Sequence, residues 1–180
     1  MDLLLQQLIN GLVLGSVYAL VALGYTMVYG ILGLINFAHG EVTMVGAMIG
    51  IATLNFMLGT TTGLPAPIVA LCGVGAAMLV CAVLGYGIER IAYRPLRHAP
   101  RLAPLITAIG VSIVLQNLAM LIWGRQYLPF PTLFELQRFE IGGATITNVQ
   151  ITIITLSALV MGALWWLVHK TSLGRAMRAT

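Results

Sequence analysis

The sequence predicts an all-α, polytopic helical membrane protein with about five transmembrane helices, and three observations carry that reading. Only 8% of the 180 residues are charged while 59% are hydrophobic, and the mean hydropathy is +0.99; soluble domains carry about 25% charged residues. No Asp, Glu, Lys or Arg occurs in 3–40, 42–88, 102–124 or 141–169. Since roughly 20 apolar residues cross a bilayer, these windows are long enough for five crossings. The apolar runs are also continuous, without the alternation a membrane β-barrel needs. This composition excludes a disordered chain and an ordinary soluble enzyme. The net charge of +4 is no nucleic-acid footprint, because the basic residues sit in short segments between apolar runs.

The first span covers residues 4–29. It lacks a flanking Lys or Arg and is too long for a removable signal peptide, so it reads as a membrane crossing. Gly11, Gly15 and Ala19 recur every four residues and share a helix face, where small residues admit a neighbouring helix. Gly30 and Gly33 loosen the run ahead of Asn36. Residues 3–40 are tight for two crossings and read as one span plus an irregular break. The second span covers 37–58. A start at Val42 would leave about 26 Å of helix, short of a core of about 30 Å. Glu41 therefore falls in the first turns, where a carboxylate suits a helix N-terminus. Gly46 and Gly50 repeat the small-residue spacing.

The segment TTTGLPAP at 60–67 is a loop by composition. The third span covers 68–88, with Gly73, Ala77, Cys81 and Gly85 forming an unbroken small face. Cys72 and Cys81 lie about 13 Å apart along that helix and cannot bridge within it, so both read as small packing residues. Residues 89–101 (ERIAYRPLRHAPR) are the most charged segment and read as a loop. The fourth span covers 102–123. Residues 124–148 form the longest polar loop, in which FEIGGATI at 139–146 suggests a small hairpin around Gly142-Gly143. The fifth span covers 149–168, followed by HKTSLGRAMRAT at 169–180.

Orientation follows from the basic residues. Arg90, Arg94, Arg97 and Arg101 lie in 89–101, and Lys170, Arg175 and Arg178 in the final segment, against only Arg125 and Arg138 in 124–148. Positive loops stay cytoplasmic. The loop 89–101 and the segment 169–180 are therefore expected inside, the loop 124–148 outside, and the N-terminus outside.

Polar residues that cost energy to bury mark the candidate pathway. Asn36, His39, Gly40 and Glu41 (NFAHGE), flanked by Tyr25, Thr26 and Tyr29, form the densest such cluster. An ionisable residue at depth usually faces a bundle interior or a water-filled cavity. Glu41 and His39 capping a helix at the inner interface is the equally simple alternative. Ser112, Gln116 and Asn117 on the fourth span suit a polar seam or hydrogen-bonded helix packing. Trp123, Trp165 and Trp166 lie near span ends, as interfacial anchors do. No catalytic set and no metal site is expected. The sequence has no helical His pair, no Ser-His-Asp set and no phosphate-binding Gly-rich loop. The segment after the fifth span reads as the start of an amphipathic helix with Arg175 and Arg178 on one side. It suits either anionic lipid or a cytoplasmic partner.

Three stretches carry a resemblance to a known family: INFAHGEVTMVGAMIG at 35–50, ERIAYRPLRHAPRLAPLITAIGVSIVLQN at 89–117 and TSLGRAMRA at 171–179. They resemble the permease subunits of branched-chain amino acid ABC importers, in order and spacing, over essentially the whole chain. Permeases for urea, short-chain amides and other amino acids are similar in sequence. The resemblance implies a single transmembrane permease domain over 1–180 that is incomplete at its C-terminus, as an N-terminal fragment would be. It implies a second homologous permease subunit, two cytoplasmic ATPase subunits and an external solute-binding protein as partners. ATP is bound by the partner subunits, and no cofactor is expected in this chain. Gly174, Arg175 and Arg178 match the cytoplasmic region that would couple to the ATPase, and Asn36, His39, Gly40 and Glu41 match the family's first strong motif. Loop 124–148 would face the binding protein. The setting implied is a bacterial or archaeal plasma membrane. A secondary carrier or channel, and a non-transporting membrane scaffold, are the alternatives of another class.

Overall fold

The computed structural model describes residues 2–32, 36–60, 64–96, 99–100, 102–133, 136–141, 143–172 and 174. It contains five helices long and apolar enough to cross a membrane. They are α1 (Asp2–Leu32), α2 (His39–Thr60), α3 (Ala66–Ile88), α4 (Leu102–Trp123) and α5 (Asn148–Lys170). A two-stranded antiparallel hairpin, β1 (Arg138–Ile141) and β2 (Ala144–Thr147), precedes α5. The protein is a polytopic helical membrane protein. Residues 3–30 form one continuous apolar helix, long enough for a single crossing.

The contacts cluster into two units, residues 1–35 with 135–180 and residues 36–134. In the first, α5 and β2 pack against α1. The hairpin pairs Phe139 with Ile146 and Ile141 with Ala144, within the segment 139–146 where a hairpin is expected. Gly143 takes φ 82°, a left-handed conformation that glycine adopts without the Cβ penalty other residues meet. Helix α5 starts at a capping box. Thr147 Oγ1 accepts from the Gln150 backbone N–H at 3.3 Å, and the Thr147 N–H donates to Gln150 Oε1 at 2.9 Å.

In the second unit α2 packs against α3 and, less extensively, α4. Small residues make the closest approach. A Cβ on Gly46 would come 2.7 Å from Cys81 Sγ, and one on Gly73 would come 2.9 Å from Leu54 Cδ2 and 3.6 Å from the Gly50 carbonyl oxygen. These pairings run antiparallel along the two helices, as two spans joined by a short loop require.

The charged segment expected as a loop at 89–101 differs in the structure. The chain stays helical through a π-turn at Glu89–Tyr93 and a 3₁₀ turn at Arg94–Leu96, so that 66–96 form one long helical path. The wider π-turn packs on α4, with Ala92 and Tyr93 half-buried.

The burial pattern suits lipid. Among the described residues no large side chain is fully buried, and the buried positions are mostly small or medium (Ala38, Val45, Ala108, Ala119), while Leu3, Leu71, Leu121 and Trp165 are exposed. Several hydroxyls within the spans bond back to their own helix. Ser16 donates to the Val13 carbonyl at 2.7 Å and Thr53 to that of Ile49 at 2.8 Å, so these hydroxyls do not meet hydrocarbon unpaired.

Candidate functional site

The motif at 36–41 is built around the start of α2. Asn36 opens the turn that launches the helix. Its carbonyl accepts from the His39 N–H at 3.1 Å and its Oδ1 from the Ala38 N–H at 3.0 Å. The same Oδ1 accepts from the Tyr93 hydroxyl at 2.6 Å, tying the start of α2 to the π-turn. His39 and Gly40 form the first turn of α2, both half-buried, and the hydroxyl of Thr43 donates to the His39 carbonyl at 3.0 Å.

Glu41 is half-buried and turned toward α4. Gln116 Nε2 donates to its Oε1 at 2.7 Å, and Ser112 Oγ donates to the same oxygen at 3.3 Å. Ser112 and Gln116 are four residues apart and occupy one face of α4. The partners fix the depth of the carboxylate. Ser112 is ten residues beyond the start of the 22-residue α4, which is about 15 Å along the helix. On the other side, Cys81 Sγ reaches the Val42 carbonyl at 3.5 Å, and Cys81 lies well before the end of α3 and of the helical path to Leu96. Glu41 is thus level with the middle of α4 rather than with its end. Glu41 also lies in the first turn of α2, where a carboxylate suits the helix N-terminus. An ionisable side chain within a membrane-spanning bundle is costly and is found where it faces the bundle interior or water.

The remaining sequence candidates fall as follows. Gly46, Gly50, Gly73 and Ala77 lie along α2 and α3, with Gly46 and Gly73 in the tightest contacts. A Cβ at Gly11, Gly15 or Gly85 would meet nothing within 4 Å among the described residues. The Gly174 N–H donates to Thr171 Oγ1 at 3.3 Å, and a Cβ there would run into the Val168 carbonyl. Arg175 and Arg178 lie outside the described residues, as do Gly33, Arg97 and Arg101. Asn117 bonds the Ile113 carbonyl of its own helix at 2.7 Å.

Two arrangements escaped sequence reasoning. Tyr93 was one aromatic in a charged stretch, and nothing in its spacing pointed to Asn36. Gln6 holds the hairpin. Its Oε1 accepts from the Thr145 N–H at 2.8 Å and its Nε2 donates to the Thr145 carbonyl at 3.1 Å, so the amide occupies the open edge of β2 as a further strand would. Asn10 adds bonds of 3.3 Å from Gln6 and from Gln150. The available signal was Gln6 and Asn10 at a spacing of four on an otherwise apolar helix, and Thr147-x-x-Gln150 as a capping box.

The family model described as "Branched-chain amino acid transport system / permease component" matches residues 7–180. The chain belongs to that permease family. It is 48% identical over 181 aligned residues to the high-affinity branched-chain amino acid transport system permease protein BraD of Pseudomonas aeruginosa. It is 45% identical to the permease protein LivH of Escherichia coli and 44% to LivH of Salmonella typhimurium. Each alignment covers 97% of this chain and 58% of the relative, so this permease sequence spans well under two thirds of their length. No solved structure matches it.

Proposed function

We propose that this chain contributes five transmembrane helices to the permease subunit of an ATP-binding-cassette importer for branched-chain amino acids. The observation that carries the reading is the family match over residues 7–180, together with relatives at 44–48% identity whose names state that transport. The permease lines the substrate pathway with a second, homologous permease in a bacterial or archaeal plasma membrane. Two cytoplasmic ATPase subunits bind and hydrolyse ATP, and an external solute-binding protein delivers the amino acid. Asn36, His39, Gly40 and Glu41 lie on the pathway or its gate. Gly174, Arg175 and Arg178 belong to the surface that meets the ATPase. Loop 124–148, with its Gln6-held hairpin, faces the binding protein.

A carboxylate level with the middle of a neighbouring span supports the pathway role of Glu41. Alternating access then requires contacts that differ between the outward-open and inward-open states. The test is uptake of labelled leucine, isoleucine and valine into proteoliposomes carrying the full-length permease with its partners. Uptake requires internal ATP and the binding protein on the outside. Uptake driven by an ion gradient without the ATPase would make the protein a secondary carrier. Uptake of urea or short-chain amides in place of the amino acids would move it to another branch of the family.

A further inference from the structure

We infer that Glu41 is a docking point for the ammonium group of the transported amino acid, with Gln116 and Ser112 as its positioning residues. The inference rests on the importer reading and names what its central carboxylate binds. Both donors on α4 bond the same oxygen, Oε1, at 2.7 and 3.3 Å. Oε2 accepts no hydrogen bond from any described residue. It is not sealed away either, since no buried side-chain oxygen or nitrogen among the described residues lacks a partner. An ionised carboxylate offers about four acceptor positions, and here half of them stay open on one side. Neither donor is charged, so they orient the carboxyl group without supplying a counter-charge. A primary ammonium brings a positive charge and three N–H donors, which match the open oxygen. A substrate carboxylate would be repelled there, so the site reads one end of a zwitterion. Glu41 on α2 and its two donors on α4 belong to different helices. Relative movement of α2 and α4 would therefore separate the carboxylate from its positioning groups and release the ammonium.

The experiment uses the assembled importer with the full-length permease, in detergent, without nucleotide or binding protein. Binding of leucine is read by saturation-transfer NMR, with 3-methylbutylamine (ammonium without carboxylate) and 4-methylpentanoate (carboxylate without ammonium) as competitors. In the wild type the leucine signal is displaced by the amine and not by the acid. Glu41→Gln weakens leucine binding tenfold or more and abolishes displacement by the amine. Gln116→Leu weakens it severalfold, and the double variant is no weaker than Glu41→Gln alone, because Gln116 acts through Glu41. Should Glu41→Gln fail to assemble, Glu41→Asp keeps the charge and retains displacement by the amine at reduced affinity. An unchanged affinity in Glu41→Gln, or equal displacement by amine and acid, overturns the inference. So does a wild type that transports leucine yet gives no leucine signal. A wild type that fails to transport any branched-chain amino acid overturns the importer reading itself.

Discussion

Small residues repeat every four positions on α1, α2 and α3, and the structure treats the α1 stripe differently from the other two. On α2 and α3, Gly46 and Gly73 meet neighbours so closely that a single added carbon would collide. On α1, Gly11 and Gly15 are exposed, and an added carbon would touch nothing within 4 Å among the described residues. The spacing shows that a face can accept another helix. It does not show which helix comes. Helix α1 is instead joined to the hairpin and α5 by amides, with Gln6 on Thr145 and Asn10 on Gln150. The seam between α2 and α3 relies mainly on the close fit of small residues, while the contact among α1, β2 and α5 adds side-chain hydrogen bonds to helix packing. The two should respond to different substitutions.

The largest effect is expected at Gly46. In Gly46→Ala the new carbon sits 2.7 Å from Cys81 Sγ, so α2 or α3 must shift. Overpacking of this kind costs about 1–3 kcal/mol. The midpoint of thermal unfolding of the purified full-length permease should fall, and adding Cys81→Ala should restore most of the loss by removing the sulfur. If the double variant is no more stable than the single one, shape complementarity at this point is not what holds the seam.

Next in size is Gln6→Leu. It removes both bonds to the Thr145 backbone and re-exposes the edge of β2. The loss expected is about 1 kcal/mol, the usual net value of such bonds. Faster amide hydrogen exchange should appear at Thr145 and leave α2 and α3 unchanged. Exchange that accelerates equally in both places would erase the contrast. Tyr93→Phe asks whether the α2–α3 seam also leans on a polar bond at one end. Interhelical hydrogen bonds in membranes average about 0.6 kcal/mol, so the loss should be smaller than at Gly46. A larger loss would make the Asn36–Tyr93 bond, and not the glycine contact, the dominant fastening of that seam.

The contrast also marks what a sequence can reveal here. The five spans were legible because a bilayer demands about 20 apolar residues per crossing, and the chain is nearly free of charge in those windows. The hairpin was legible because Gly142-Gly143 sits between two short runs of strand formers. The helical course of 89–96 was not, because charge and Pro95 signal a loop locally while packing on α4 sustains the helix. Glu41 was legible as a candidate, since a lone carboxylate stands out in an apolar chain. Its partners and its depth were not. The pairing of residue 41 with 112 and 116 is set by how α2 and α4 cross, and no periodicity along one helix encodes that.

The smallest effect is expected on the open stripe, and it is the most informative about α1. Gly11→Ala and Gly15→Ala add a methyl group to exposed positions where it meets nothing within 4 Å among the described residues. Alanine is favoured over glycine within a helix by about 0.5–1 kcal/mol, because it loses less backbone freedom on folding. Each variant should therefore unfold at the same temperature as the parent or slightly above it, in the same thermal assay as Gly46→Ala. The contrast sharpens if Gly46→Ala and Gly15→Ala move the midpoint in opposite directions despite being the same chemical change. It breaks if Gly15→Ala destabilises the full-length permease as much as Gly46→Ala does. In that case the α1 stripe is filled by a helix outside the described residues, and both stripes would serve as packing seams.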